Sequence, residues 1–286
     1  MGAIGSLVDR DDLLIIDHLV HASIVDAAKL SGAKLRVFKH NDLDDLERIL
    51  QWADQRRAAP PDGRRRPQIL VVTETVFSMD GDQAPLAEIV PLKERYGAWL
   101  MVDEAHATGL FGTRRSGLVE RLGLSGRIEI QMGTLGKAVG AAGGFICGSK
   151  ELTEFLINRA RSFIFSTAPA PAVAAAACAG LQVIQSAEGE TLCQRLWDRV
   201  HQAANGLTQL RPSNVVSSAI LPIVMGDEDR TVQLADRLRV SGILLPAIRY
   251  PSVARGAARL RLTISAAHCA EDIAQLLREL SGLVGR

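Results

Sequence analysis

Short, almost unbroken apolar runs alternate with amphipathic stretches through the first two-thirds of the chain. "LLIID" (13–17), "LRVF" (35–38), "ILVVTETVF" (69–77), "WLMVDEA" (99–105) and "IEIQMG" (128–133) read as strands. Between them, "DLDDLERILQWADQ" (42–55) and "PLAEIVPLKERYG" (85–97) carry apolar residues at helical spacing and finish in polar residues or glycine. Strands that are apolar throughout and separated by helices predict an α/β fold, with a parallel sheet covered on both faces. Ligands of such sheets bind outside the carboxyl ends of the strands.

From about residue 186 the pattern changes. A helix over 190–210, "AILPIVMG" (219–226), a helix over 229–241, "ILLPAI" (243–248), "RLRLTIS" (259–265) and a last helix over 270–284 predict a smaller α+β domain. The expected organisation is a mainly parallel large domain over 1–185 and a small C-terminal domain over 186–286. The alanine-rich "APAPAVAAAACAGLQVIQ" (168–185) reads as a buried helix with prolines at its start. "MGAIGSLVDRDD" (1–12) reads as the end of a helix running into a strand, so a segment ahead of it is expected to be missing.

Composition narrows the function classes. A hydrophobic fraction of 47% and a charged fraction of 23% are those of a soluble globular chain. A net charge of +1 gives no electrostatic case for a nucleic acid or a membrane surface. No apolar run approaches the ~20 residues of a membrane span, and no basic segment with an apolar core opens the chain. Cys147, Cys178, Cys193 and Cys269 are too widely spaced for a metal site and read as small core hydrophobes, at most one with an exposed thiol, in a reducing, cytoplasmic setting. The arginine-rich "RRAAPPDGRRRPQ" (56–68) reads as a solvated loop rather than a binding patch.

The candidate chemistry starts at Lys137, alone among small uncharged residues in "TLGKAVGAAGG" (134–144), with Glu129 the nearest acid upstream. A phosphate-loop reading fails, because that loop needs glycine six residues before the lysine and Ser or Thr just after it. Those positions hold Gln131 and Ala138. "LMVDEAH" (100–106) matches an acidic box of certain helicases, but it precedes the lysine and is in the wrong order. An ammonium in a turn of small residues is expected to be desolvated, which lowers its pKa and frees an amine nucleophile. Such an amine forms a Schiff base with a carbonyl, including that of pyridoxal 5'-phosphate. That cofactor needs a carboxylate at its ring nitrogen and anchors for its phosphate. Asp103 ends an apolar strand, and Thr134 offers a hydroxyl three residues before Lys137. Taken singly, Asp103 could equally cap a helix, and His106 reads as a structural histidine.

Four strings settle a resemblance. "VFSMDGDQAPL" (76–86), "VDEAHATGLFG" (102–112), "TLGKAVGAAGG" (134–144) and "ARLRLTISAAH" (258–268) occur in the order of the α-oxoamine synthases. That family of fold-type I pyridoxal-phosphate enzymes condenses an amino acid with an acyl thioester and releases carbon dioxide. The resemblance covers essentially the whole chain. "DEAHATG" together with "AIRYPSVARGAARLRLTISAAH" is most similar to the biotin-biosynthesis branch, which joins L-alanine to pimeloyl-CoA or pimeloyl-acyl carrier protein. The runner-up branch, 2-amino-3-ketobutyrate CoA ligase, uses glycine and acetyl-CoA and shares "FSMDGD".

The resemblance implies a role for each matching residue. Lys137 would carry the cofactor as a Schiff base and move the α-proton. Asp103 would face the ring nitrogen, His106 and Ser78 the phenolic oxygen, and His21 the ring face. From its own sequence context, His21 in "HLVHASI" (18–24) reads equally as a helix cap. Thr134 would bind the phosphate. Ser166 and Thr167 in "FIFSTAPAP" (163–171) would reach the phosphate of a neighbouring subunit, implying a homodimer with shared sites. Arg261 would take the substrate carboxylate, with Arg259 two residues earlier on the same strand face. The family carries about a hundred further residues ahead of the position of Met1, enough for a small domain. Those residues include a Gly-aromatic turn at the phosphate. A non-catalytic partner subunit is the rival class, but such paralogues typically lose the Schiff-base lysine, which is present here.

Overall fold

A computed structural model of the chain describes residues 1–58, 65–210 and 216–284. The backbone falls into two compact units: Met1–Phe77 with Ala84–Gln185, and Ser78–Gln83 with Ser186–Arg286.

The first unit runs α1 (Gly2–Leu7), β1 (Leu13–Asp17), α2 (Ala22–Ser31), β2 (Lys34–Phe38), α3 (Leu43–Ala58), β3 (Ile69–Glu74), α4 (Leu86–Arg95) and β4 (Trp99–Asp103). It continues through α5 (Leu118–Arg121), β5 (Ile130–Thr134), β6 (Gly144–Cys147), α6 (Lys150–Arg159), α7 (Arg161–Ile164) and α8 (Pro171–Gln185). The six strands form one sheet in the order β2-β1-β3-β4-β5-β6. All pairings are parallel except β5 with β6, which is antiparallel and makes the sheet mixed.

Side chains alternate across a strand, so every second residue faces the same layer. Leu14 and Ile16 of β1, Leu70 and Val72 of β3, Met101 of β4 and Ile130 of β5 bury one face against Ile4 of α1, Ile24, Ala27 and Ala28 of α2, and Leu156 of α6. Each fully buried Leu, Ile, Val or Met among them contributes about 1.5–3 kcal/mol. At the carboxyl ends the same alternation continues into polar residues: Glu74 after Val72, Asp103 after Met101, and Thr134 two pleats beyond Ile130. A greasy sheet face therefore ends in a row of functional groups.

The second unit contains α9 (Ala187–Leu210), β7 (Ile220–Gly226), α10 (Glu228–Val240), β8 (Ala247–Ile248), β9 (Ala258–Thr263) and α11 (Ala270–Val284). Its sheet has the order β7-β9-β8 and is antiparallel throughout.

Several expectations need correction. The strand expected over 69–77 stops at Glu74, where the chain turns and the Thr75 N–H donates to the Asp103 carbonyl. Of "ILLPAI" only Ala247–Ile248 is strand, because Pro246 lacks an N–H for the ladder. The helix expected to be buried over 168–185 exists as α8, but Ala177 is its one buried residue. Its alanine-rich surface is not covered within the unit. The cysteines are not core residues either: Cys147, Cys178 and Cys269 are exposed and Cys193 is half-buried. Residues 59–64 of the arginine-rich stretch lie outside the described residues, and Arg65 beside them is held by Asp12 and Asp9.

Candidate active site

A cavity of about 800 Å³ opens at the carboxyl edge of the first unit's sheet. That is the size range of small-molecule sites. Its walls include His21, Glu74, Asp103, His106, Thr134 and Lys137.

Lys137 sits in the turn 135–143 that joins antiparallel β5 and β6. The turn is closed by Leu135 N–H donating to Gly143 O (2.9 Å), Ala141 N–H to Leu135 O (2.8 Å) and Gly140 N–H to Lys137 O (3.0 Å). Two glycines bring other elements against it. Gly109 of "DEAHATG" has φ +86°, and a Cβ there would lie 2.8 Å from the Ala138 Cβ. Gly180 of α8 lets the helix approach so closely that a Cβ would stand 2.2 Å from the Val139 carbonyl oxygen. The small residues around Lys137 thus serve close packing of the backbone. They do not bury the lysine, which is exposed on the cavity rim, contrary to the desolvated ammonium expected from its neighbours. Nor is it isolated in space. Its Nζ lies 2.8 Å from the His106 imidazole Nε2, and its charge acts on the carboxyls of Asp103 and Glu74.

Asp103 closes β4 and is 5% exposed. Its Oδ1 accepts the Ala105 N–H at 2.8 Å and closes a turn; no helix starts there, so the helix-cap reading is not met. Burial pushes its carboxyl above the usual range, against the pull of that N–H and of Lys137. His21 is the N-cap of α2: its Nδ1 accepts the Ser23 N–H at 3.2 Å and lies 2.9 Å from Ser23 Oγ. It combines the capping position with a place on the cavity wall. Thr134 Oγ1 accepts the Gly136 N–H and donates to the Gly143 carbonyl, both at 3.2 Å.

Sequence reading missed two buried acids. Glu104, next to Asp103, is 4% exposed and accepts from Leu118 N–H (3.0 Å), Val119 N–H (2.8 Å) and Thr75 Oγ (2.9 Å). It ties the start of α5 to the end of β3. Glu74 lines the cavity itself and is 2% exposed. Burial first, and the charge of Asp103 second, push its carboxyl up to about 8. The polar "TET" interrupting the run 69–77 was the available signal for it.

The remaining candidates lie elsewhere. Ser166 and Thr167 are exposed beyond α7, with Ser166 Oγ donating to the Ser162 carbonyl at 2.6 Å. Ser78, Arg259 and Arg261 belong to the second unit. There the two arginines differ. Arg259 is 7% exposed and its guanidinium is ion-paired with Asp80. Arg261 donates to the Ser78 carbonyl (2.6 Å) and to Thr263 Oγ1 (3.0 Å), both neutral acceptors, and burial lowers its pKa.

A mixed sheet with an amine, an imidazole and a buried carboxylate at its carboxyl edge defines a site for carbonyl chemistry on an α/β scaffold. The chain belongs to the aminotransferase class I and II family, which it matches over residues 2–280. Among curated relatives it is 42% identical over 277 residues to the 8-amino-7-oxononanoate synthase of Symbiobacterium thermophilum, covering 96% of this chain and 68% of that protein. A solved serine palmitoyltransferase from S. paucimobilis with a bound PLP–myriocin aldimine superposes with a TM-score of 0.91 at 30% identity, covering 99% of this chain and 70% of the other. The 8-amino-7-oxononanoate synthase of Francisella tularensis superposes with a TM-score of 0.80 at 29% identity, covering 99% and 78%. Among the described residues no helix is long and apolar enough to cross a membrane.

Proposed function

We propose that the chain is a pyridoxal-phosphate-dependent acyltransferase that condenses L-alanine with a pimeloyl thioester, releasing 8-amino-7-oxononanoate, carbon dioxide and the free thiol. The observation that carries this reading is the convergence of Lys137, His106, Asp103, Thr134 and His21 on one cavity, in a chain 42% identical to an enzyme of that name.

The residues present fit the cofactor. A buried carboxylate held by one backbone N–H, an amine on the cavity rim and a hydroxyl at a strand end are the donor set that a pyridinium ring, an aldehyde and a phosphate require. Pyridoxal phosphate, when bound, supplies an aldehyde for the amino nitrogen of the substrate and a protonated ring that takes up the electron pair left by the α-proton. Asp103 would hold the ring nitrogen protonated. Lys137 would bind the aldehyde carbon and, once displaced by substrate, accept the α-proton on Nζ and later return it. His106, 2.8 Å from that Nζ, would orient the amine and donate to the ring's phenolic oxygen, for which Ser78 would be a second donor. Thr134 would anchor the phosphate, and His21 would cover the ring.

Arg261 is assigned the substrate carboxylate, because its guanidinium is satisfied by neutral acceptors and keeps its charge for an anion. Arg259 is assigned a structural role, since Asp80 already takes its charge.

A homodimer in which Ser166 and Thr167 reach the neighbour's phosphate is supported by the apolar surface beside them: Phe163 is 65% exposed and Phe165 71%. The exposed thiols of Cys147, Cys178 and Cys269 suit a reducing, cytoplasmic compartment.

The experiment is a comparison of turnover by the cofactor-loaded chain. Alanine is offered with pimeloyl-CoA and with pimeloyl-acyl carrier protein, and glycine with acetyl-CoA. Product from alanine and a pimeloyl donor is expected, and the preferred donor identifies the carrier. Preference for glycine and acetyl-CoA assigns the chain to the 2-amino-3-ketobutyrate CoA ligase reaction instead. A folded, cofactor-free chain without turnover fits a non-catalytic partner.

A further inference from the structure

Glu74 has no place in the chemistry just described, yet it is one of the most deeply buried acids of the cavity. In the parallel pairing of β3 with β4 its register partner is Asp103. Register partners on adjacent strands lie about 5 Å apart and project to the same face of the sheet. Two carboxyls so placed do not both ionise without a large like-charge cost.

Their surroundings decide which one keeps the proton. Each carboxyl accepts one backbone N–H, Asp103 from Ala105 at 2.8 Å and Glu74 from His21, but Glu74 also has a buried oxygen, Oε1, without a hydrogen-bond partner. Every element around Glu74 enters the balance. From β4 and β1 the charges of Asp103 and Asp17 oppose its ionisation. From the start of α2 the His21 backbone N–H favours it, as does Lys137 from the β5–β6 turn, where His106 is 2.8 Å from the ammonium. Asp17 is itself held by Leu19 N–H, Asn41 N–H and His40. Burial outweighs the favourable contributions.

We propose that Glu74 is kept as a neutral carboxylic acid beside Asp103, and that it is a positioning residue confining the pair's negative charge to Asp103, where the cofactor's ring nitrogen needs it. The second half of this proposal rests on the cofactor reading above; the first half does not. As pH rises through about 8 the Glu74 carboxyl ionises and adds a second negative charge beside that of Asp103. The second charge then competes for the same cationic partners.

Difference infrared spectroscopy on the full chain, with and without isotope-labelled glutamate, tests the first half in cofactor-free protein. The comparison is between wild type and Glu74→Gln from about pH 6 to about pH 10. A protonated-carboxyl band is expected at neutral pH in wild type, lost with a midpoint near pH 8 and missing from the variant, whose fold is checked by circular dichroism. A wild-type spectrum with no such band at neutral pH overturns the proposal. The second half is read from cofactor absorbance against pH. Wild type is expected to show a step near pH 8 that Glu74→Gln lacks. The same step in both overturns the positioning role. If no absorbance band forms in wild type, the cofactor reading and the positioning role fall together, and the infrared result still decides the protonation of Glu74.

Discussion

Lys137 Nζ and His106 Nε2 stand 2.8 Å apart, although 31 residues separate them in sequence. The contact is made possible by the turn at the end of β5 packing onto Gly109, three residues after His106. Lys137 is exposed and His106 half-buried on the cavity wall, outside the apolar core, so their contact organises the site more than it stabilises the fold. His106→Asn is therefore expected to lower kcat about 100-fold while leaving Tm nearly unchanged. Stopped assays and thermal melts separate the two effects, and a large fall in Tm would mark the histidine as structural.

Gly109 makes a second prediction. Its left-handed φ and its approach to Ala138 leave no room for a Cβ. Gly109→Ala should cost about 2 kcal/mol in stability and displace the lysine turn. Urea melts measure the first effect, and weakened cofactor affinity at a temperature where the variant is folded measures the second. Unchanged affinity would mean that the turn holds its place without this contact.

The two arginines of β9 are expected to behave differently. Arg261→Gln should raise the KM for the amino acid about 10- to 100-fold with little change in Tm, because a charge-assisted contact to the substrate is lost. Arg259→Gln leaves Asp80 unpaired and should cost about 2 kcal/mol of stability instead. Reversed outcomes would exchange the two roles.

Glu74 also predicts a pH dependence of stability. A carboxyl at about 8 when folded and near 4.5 when unfolded binds more protons in the folded state between those values. Stability therefore falls as pH rises through that window, by about 1.4 kcal/mol per pH unit from this group. Below pH ~4.5 the penalty vanishes, since both states are protonated. Glu74→Gln should show a shallower decline of unfolding free energy between about pH 5 and about pH 8. Equal slopes for variant and wild type would mean that the carboxyl ionises normally.

The central parallel strands were legible because strands buried on both faces are apolar along their length: β1 and β3 are buried at every position, whereas edge strand β2 is exposed at three of its five. Strand β6 went unread because four residues after a glycine-rich turn carry no periodicity, and its pairing with β5 is what makes it a strand. The exposure of α8 could not be read from alanines, since burial depends on neighbours distant in sequence. For the same reason Lys137 looked isolated: its partners His106, Asp103 and Glu74 come from the ends of other strands. Glu74 was hidden inside a run read as strand to residue 77. Only the register with β4 places it opposite Asp103.

The most direct measurement is a titration of the purified chain with pyridoxal phosphate, following the visible imine band, beside Lys137→Ala of equal helical content. A saturable band in wild type that is missing from the variant is the predicted result. A folded wild-type chain with no band, or a band of equal strength in Lys137→Ala, would contradict the assignment of Lys137 and the cofactor site built around it.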